Sequence, residues 1–238
     1  MQRLRAVLEE AGPRYGTFVN LAFALHRLGR LEDALLVLDE AEAVAPDRPE
    51  AALARASIHR EGGDADAAAE ALAAYRDRIE HGDTPPAVYY HTAILTSVLE
   101  GDFSAAEAQA DEALGAHPAS APLLLLAGAL AERNGNNAEA DRCYRQAAEE
   151  DPSLPQAYKG QGDIAYRRGL HDEALEHYDR AIELDPELGD DILTKLGNIH
   201  YKRMEREAAL ELWQRALALN PDNEVVRNNL DVVANAGA

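Results

Sequence analysis

The sequence of 238 residues contains a single cysteine, Cys143, so no disulfide can form within the chain. This scarcity is typical of a reducing compartment, and we expect a cytoplasmic protein. No run of about 18 apolar residues is present, and the longest, from Ala121 to Ala131, is too short for a membrane-spanning helix. The N-terminal stretch MQRLRAVLEEAGPRYG has neither the apolar core nor the small-residue cleavage site of a secretory signal.

Aromatic side chains and positive charge are also scarce. Aromatics make up 5% of the chain, and 23 Lys and Arg residues face 43 Asp and Glu residues, which gives a formal net charge of -20. A surface this acidic repels phosphate groups, so nucleic acids and anionic membranes are not expected as partners. The abundant residues, Ala, Leu, Glu and Arg, favour helices.

Similar segments recur along the chain and end at prolines. Pro118, Pro152, Pro186 and Pro221 follow one another at intervals of 34, 34 and 35 residues. Self-similarity at a fixed period predicts an array of stacked units. Each unit reads as two helical segments, usually joined at a glycine that permits a tight turn. These glycines are Gly29, Gly63, Gly101, Gly135 and Gly169.

Within each unit, aromatic, small and proline residues recur in a fixed order. The best copies are repeat five, with Tyr158, Gly162, Ala174, Tyr178, Ala181 and Pro186, and repeat six, with Leu193, Leu196, Gly197, Ala209, Trp213, Ala216 and Pro221. Repeat two is the weakest copy, because Tyr75 is followed by the irregular stretch RIEHGDTPP. The pattern resembles the tetratricopeptide repeat family. Small residues at one position would let paired helices approach closely, and large residues would fill the gaps between them.

The resemblance implies an all-α fold, an α-solenoid of about six helix–turn–helix repeats wound as a right-handed superhelix. We expect an N-terminal helix at residues 1–14 and a C-terminal capping helix and tail at 224–238. The repeats between them are predicted at 15–48, 49–86, 87–120, 121–154, 155–188 and 189–223.

The stretch GLHDEALEHYDRAIELDP at residues 169–186 has the composition of a metal or acid–base site. His171 and His177 are six residues apart on a predicted helix and point about 120° from each other, so they cannot share a ligand. We interpret the polar residues as solvated helix surface. No His-Glu-x-x-His, paired-cysteine or phosphate-binding glycine motif is present, so we predict no enzyme, no metal and no cofactor. Cys143, beside two arginines, is either a reactive thiol or ordinary helix surface and packing.

In the family that the chain resembles, the first helix of each repeat lines a concave groove that holds peptide segments. The corresponding C-terminal positions are Lys159, Asp163, Tyr166, Arg167, Lys195, Asn198, Tyr201, Lys202 and Asn229. Apolar positions in the middle are Leu95, Leu99 and Leu125. Positions in repeats one to three include Phe23, His26, Arg27, Ser57, Arg60, Val88 and His91.

The four cations at the C-terminal positions would attract carboxylates or phosphorylated side chains, and the asparagines would hold a peptide backbone. The set departs from the carboxylate clamp of some family members. Lys159 is followed by Asp163 where asparagine is expected, and Lys195 stands where the next repeat should offer asparagine. Alternatively, these are generic groove residues, with Lys195 paired to Asp163 or Asp191.

We therefore predict a non-catalytic protein–protein interaction scaffold or adaptor that binds an extended or helical peptide segment of a partner protein. One alternative is a self-associating module, a homo-oligomer formed through the apolar edge from Met1 to Leu8 or the loop near Pro85 and Pro86. Another is the regulatory or interaction domain of a larger enzyme system.

Overall fold

The computed structural model describes residues 14–80 and 82–235, and within these ranges every regular element is an α-helix. The helices of the first three repeats are α1 (Tyr15–Arg27), α2 (Leu31–Val44), α3 (Glu50–Glu61), α4 (Ala65–Arg78), α5 (Ala87–Glu100) and α6 (Phe103–Ala116). Those that follow are α7 (Ala121–Arg133), α8 (Asn137–Glu150), α9 (Pro155–Arg167), α10 (His171–Leu184), α11 (Asp190–Lys202), α12 (Arg206–Leu219) and α13 (Glu224–Asn235). The helix predicted at 1–14 and the apolar edge from Met1 to Leu8 lie outside the described residues, apart from Arg14.

Packing divides the chain into two compact units, Met1–Pro118 and Ala119–Ala238. In the N-terminal unit, α1 packs on α2, α3 on α4 and α5 on α6. In the C-terminal unit, α7 packs on α8, α9 on α10 and α11 on α12, and α13 covers the last pair. This all-α solenoid of helix–turn–helix pairs is the predicted fold class. None of the helices described is long and apolar enough to cross a membrane.

In each helix pair, a residue with a left-handed backbone conformation lies in the turn between the two helices. Gly169 has a φ of 75°, and the following residue donates from its N–H to the carbonyl of Ala165 at 2.9 Å, which satisfies an otherwise unpaired helix end. The other four predicted turn glycines also have positive φ values. In the sixth turn the same conformation is adopted by Met204, with a φ of 64°. A side chain in this region is strained, so Met204 departs from the rule that the other turns follow.

The core of the C-terminal unit depends on glycine facing an aromatic ring. A Cβ added at Gly162 would lie 2.6 Å from the ring of Tyr178, and one added at Gly128 would lie 2.7 Å from the ring of Tyr144. Gly197 faces the indole of Trp213 in the same way. The two members of each pair are sixteen residues apart. The close approach expected at the small positions is therefore present.

The N-terminal unit has residues of other sizes at the same positions. Its corresponding pairs, also sixteen residues apart and all buried, are Ala22 with Leu38, Ala56 with Leu72, and Ile94 with Ala110. When one member is larger, the other is smaller, so that native packing density is kept without a glycine. Size complementarity, rather than the identity of either residue, is what the two units share.

Aromatic residues on either side of the irregular stretch after repeat two hold the neighbouring helices together. The rings of Tyr75 and Tyr89 stack with centroids 5.1 Å apart, and the guanidinium of Arg76 lies 4.8 Å from the centroid of Tyr89. Arg76 also donates to the Tyr89 hydroxyl at 3.0 Å and to Glu112 at 2.9 Å. These contacts connect α4 to α5 and α6, so the N-terminal unit remains continuous where the repeat pattern fails.

Candidate functional site

The first helices of the C-terminal unit carry a closed network of charges. Lys159 on α9 donates to Asp191 on α11 at 2.8 Å. Lys195 donates to Asp191 at 3.1 Å and to Asp163 on α9 at 2.5 Å. Of the two interpretations offered for Lys195, pairing with Asp163 or Asp191 is the one present in the structure. Two lysines and two aspartates leave this patch with no net charge.

Two groups of the network, Asp191 and Lys195, have pKa values shifted by their ionic partners. Burial by itself would raise the pKa of Asp191, but hydrogen bonds and charge from Lys159 and Lys195 outweigh it and lower the pKa. Burial would lower the pKa of Lys195, yet Asp163 and Asp191 raise it. The charged forms of Asp191 and Lys195 are therefore both stabilised, and an incoming carboxylate would have to compete with the aspartates.

Acids of this face also reach the core. Asp163 accepts from the hydroxyl of Tyr178 at 2.6 Å as well as from Lys195. Glu132 accepts from the hydroxyl of Tyr144 at 2.8 Å and from Arg167 at 2.6 Å. Three of the four predicted cations, Lys159, Lys195 and Arg167, are thus neutralised within the unit.

The remaining predicted residues form a row across α9, α11 and α13. The Asn198 amide donates to the hydroxyl of Tyr166 at 3.5 Å, and the Asn229 amide donates to the Asn198 carbonyl oxygen at 2.9 Å. Lys202 is exposed, has no carboxylate partner among the described residues, and lies 5.8 Å from the Tyr166 ring centroid. Tyr201 is 38% exposed beside it. This row keeps hydrogen-bonding groups free, unlike the network of lysines.

The apolar positions predicted for the middle of the groove have different surroundings. Leu95 and Leu99 belong to α5 of the N-terminal unit, where Leu95 is half-buried and Leu99 is 47% exposed. Leu125 belongs to α7 of the C-terminal unit and packs against the core cluster that includes Tyr144 and Ile164. Leu99 offers an apolar surface to solvent, whereas part of Leu125 is already used for packing.

The N-terminal unit has an open pocket of about 580 Å³ between α1, α3 and α5. It is lined by Phe23, His26, Arg27, Ser57, Arg60, Glu61, Val88, His91 and Thr92. Glu61 and Thr92 are the two that sequence reasoning missed. A signal existed for Glu61, since it lies 35 residues, about one repeat, after His26. Thr92 bonds back to the Val88 carbonyl, a contact that no sequence pattern marks.

Charges in this pocket are only partly compensated. Glu61 lies 3.0 Å from His26 Nε2 through one oxygen and accepts from Arg60 at 2.7 Å through the other. The Nε of Arg60 is buried and has no acceptor among the residues that the structure describes. An unmet donor of this kind costs about 1–3 kcal/mol. Burial, and next the charge of Arg60, lower the pKa of His91.

In the stretch interpreted as solvated surface, the five acids of α10 are exposed, whereas His171 and His177 are half-buried. Glu173 and His177 line a cleft of about 420 Å³ between α8, α9 and α10, together with the buried Gln161. His171 and His177 do not converge, and no group of His, Cys, Asp or Glu within residues 14–80 and 82–235 could hold a metal ion. Cys143 is fully buried, and burial raises its pKa to about 11. It is a packing group, because an inaccessible thiol with this pKa is a poor nucleophile.

Stacked antiparallel helix pairs define the chain as a helical-repeat protein. The model of the family described as tetratricopeptide repeat matches residues 19–82 and 125–188, more than half of the chain. The chain belongs to the tetratricopeptide repeat family. Proteins of this family generally mediate protein–protein interactions and are typically non-catalytic.

Known proteins that resemble the chain share its fold more than its sequence. The DnaJ homolog subfamily C member 7 homolog of Schizosaccharomyces pombe is 24% identical over 194 residues. The match covers 71% of this chain and 41% of that protein, so the chain spans about two fifths of the relative's length.

Two solved structures show the likeness in fold. The structure of Pseudomonas aeruginosa PilF has a TM-score of 0.81 and 15% identity, covering 91% of this chain and 96% of PilF. The Cut9–Hcn1 hetero-tetramer of the APC/C has a TM-score of 0.79 and 12% identity, covering 95% of this chain and 44% of the matched chain.

Proposed function

We propose that the chain is a non-catalytic adaptor that binds an extended segment of a partner protein across α9, α11 and α13. The row of Tyr166, Asn198 and Asn229 carries the proposal. Each asparagine amide has one carbonyl oxygen and two N–H groups, and the bonds within the row use only part of them. The groups left over match the alternating N–H and C=O groups of an extended peptide backbone.

The predicted lysines and acids have a supporting role in this proposal. Lys159, Lys195, Asp163 and Arg167 fix the shape of the face because each is held by an ion pair within the unit. The exposed Lys202 and Tyr201 at the edge of the row would contact side chains of the segment. A preference for acidic segments would then come from Lys202 alone, and we expect it to be modest, because exposed ion pairs contribute about 0–1 kcal/mol.

Two comparisons support a partner of this kind. The family generally works through protein–protein contacts. The Cut9 assembly, whose fold is similar, is itself a complex between different proteins. The identity of the segment would be found by affinity capture with the full chain, followed by mapping of the captured protein to the shortest peptide that binds.

The test compares changes at Asn198 on α11 and Asn229 on α13 with a third asparagine change on α13. We expect the double variant Asn198→Ala/Asn229→Ala to weaken binding of the mapped peptide about tenfold, because two or more hydrogen bonds are lost. The control is Asn228→Ala, which removes the same group from an exposed position of α13 and should leave the affinity unchanged. Calorimetric titration of the peptide into the unmodified chain and into both variants measures the affinities.

An affinity within twofold of the unmodified chain in the double variant, with helical content retained, would show that the segment binds elsewhere. If only a second copy of the chain is captured, and native mass measurements show a dimer that depends on concentration, the self-association alternative replaces the adaptor.

A further inference from the structure

The pocket between α1, α3 and α5 differs in charge from the chain that contains it. Its lining carries two arginines, two histidines and one carboxylate, whereas the whole chain has a formal net charge of -20. A local excess of cations on an acidic protein attracts anions selectively to that place. Neither the repeat pattern nor the fold requires these residues, since they contribute little to the buried core.

The guanidinium of Arg60 is held in place, but not all of its hydrogen-bond donors have an acceptor among the described residues. One terminal nitrogen of its guanidinium donates to Glu61, and the other oxygen of Glu61 lies against His26. These contacts orient the guanidinium, yet its buried Nε finds no acceptor among the described residues. A guanidinium binds an anion best through two neighbouring N–H groups, and Arg60 retains a donor that no described acceptor uses.

The pocket also has a second cation and an apolar rim. Arg27 is exposed and makes no hydrogen bond or ion pair with any residue described. Phe23 is 42% exposed and Val88 is 54% exposed, on the two helices that flank Arg60. An anionic group in the pocket would therefore meet two cations and the single carboxylate of Glu61, and an apolar side chain beside it would cover Phe23 and Val88.

We propose that this pocket binds an anionic side chain of a partner segment, either a carboxylate or a phosphate ester, with an apolar side chain two residues away resting on Phe23 and Val88. Side chains two residues apart in an extended segment point to the same side, so both can enter together. That the ligand is part of a protein rests on the proposed function; the charge preference rests on the pocket alone.

The probe is a fluorescein-labelled heptapeptide, Gly-Ser-Glu-Ser-Leu-Ser-Gly, added to the full chain and followed by fluorescence anisotropy. A second peptide carries glutamine in place of glutamate, and a third carries phosphoserine there. We expect saturable binding of the glutamate or the phosphoserine peptide, and binding at least about tenfold weaker for the glutamine peptide. The tighter of the two anionic peptides identifies whether carboxylate or phosphate is preferred.

Three substitutions assign the binding to this pocket. Arg60→Gln should weaken the anionic peptide about tenfold, and Arg27→Gln about threefold, because its side chain is more exposed. Arg180→Gln on α10 removes the same charge far from the pocket in sequence and should change nothing. Since Arg27 has no described partner, its variant tests the site even if loss of Arg60 disturbs the fold.

Some results would overturn the proposal. These are equal binding of the glutamate and glutamine peptides, no saturable binding of any peptide in the millimolar range, or an unchanged affinity in both pocket variants. The Asn198→Ala/Asn229→Ala variant separates this outcome from the proposed function. It should bind the heptapeptide normally while binding the mapped partner peptide about tenfold more weakly, so each site can fail without the other.

Discussion

The two units are built from the same helix pair, but they treat the cations of their first helices differently. In the C-terminal unit, Asp163 and Glu132 each join a buried tyrosine of the second helix to a cation of the face, Lys195 or Arg167. The tyrosine hydroxyl fixes the acid, and the acid neutralises the cation. The result is a rigid face with its charges already satisfied.

In repeats one and two of the N-terminal unit, the equivalent positions do not form these links. The tyrosine positions hold Leu38 and Leu72, which have no hydroxyl, and the position of Glu132 is held by Arg60. Arg27 occupies the position of Arg167, five residues after the small residue of its repeat, yet no described acid binds it. Whether the cations of a face are already paired therefore depends on the residue behind them, not only on the residues that line the face.

The largest expected effect concerns the packing that places those tyrosines. Gly162→Ala puts a Cβ 2.6 Å from the Tyr178 ring, and we expect it to destabilise the C-terminal unit by about 2 kcal/mol. In the Tyr178→Leu background the pair becomes alanine with leucine, as in repeats one and two, and the penalty should disappear. Urea unfolding followed by fluorescence of Trp213, the single tryptophan, measures both.

Gly115→Ala is the matched control, because Gly115 is an exposed helical position of α6 with no atom within 4 Å of an added Cβ. That change should stabilise the protein by up to about 1 kcal/mol, as helix propensity predicts. If Gly162→Ala has the same cost in both backgrounds, size complementarity is not what relates the two units.

The next effect concerns the charge network. Lys195→Met keeps the apolar stem but leaves Asp163 and Asp191 with one partner fewer, and we expect a loss of about 1–2 kcal/mol at pH 7. Lys202→Met is the control, since Lys202 has no described ionic partner, and it should change the free energy of unfolding by less than about 0.5 kcal/mol.

The pH dependence separates this ion-pair effect from a packing effect. The pKa of Asp191 is lowered in the folded protein, so its pairing stabilises the fold above its unfolded pKa of about 4 and is lost as the pH falls through the lower folded value. The difference between the unmodified chain and Lys195→Met should therefore shrink below about pH 4. A difference that stays constant into strong acid would assign it to packing instead.

Much of the fold could be predicted because it depends on local and periodic signals. The proline spacing, the turn glycines and the small positions such as Gly162 each impose one local geometry, which is repeated. Burial of Cys143 could also have been predicted, since it shares a helix face with Ala140, Tyr144 and Ala147 at helical spacing. The two neighbouring arginines had instead left a reactive thiol as the alternative to ordinary helix surface and packing.

The positions of the candidate-site residues could be predicted from the sequence, but whether their charged side chains are free or paired could not. Helical register placed seven of the nine pocket-lining residues, including Arg60 and His91, on one face. It could not decide whether Lys195 was free or paired, because its partner Asp163 is 32 residues away and the choice depends on side-chain geometry. For the same reason the vacant Nε of Arg60 became visible only in three dimensions.

The smallest expected effect concerns the turn, a feature that the two units share. Gly29 and Gly169 have φ values of 72° and 75°, so replacing either by alanine should cost about 1 kcal/mol, equally in both units.

Met204→Gly should act in the opposite direction and stabilise the sixth turn by up to about 1 kcal/mol, because Met204 is 88% exposed and gives up no packing. Urea unfolding followed by circular dichroism measures the N-terminal change, and Trp213 fluorescence measures the other two. Unequal costs for the two glycines would mean that the units differ in backbone as well as in packing and charge. A destabilising Met204→Gly would mean that this side chain makes contacts which offset its strained φ.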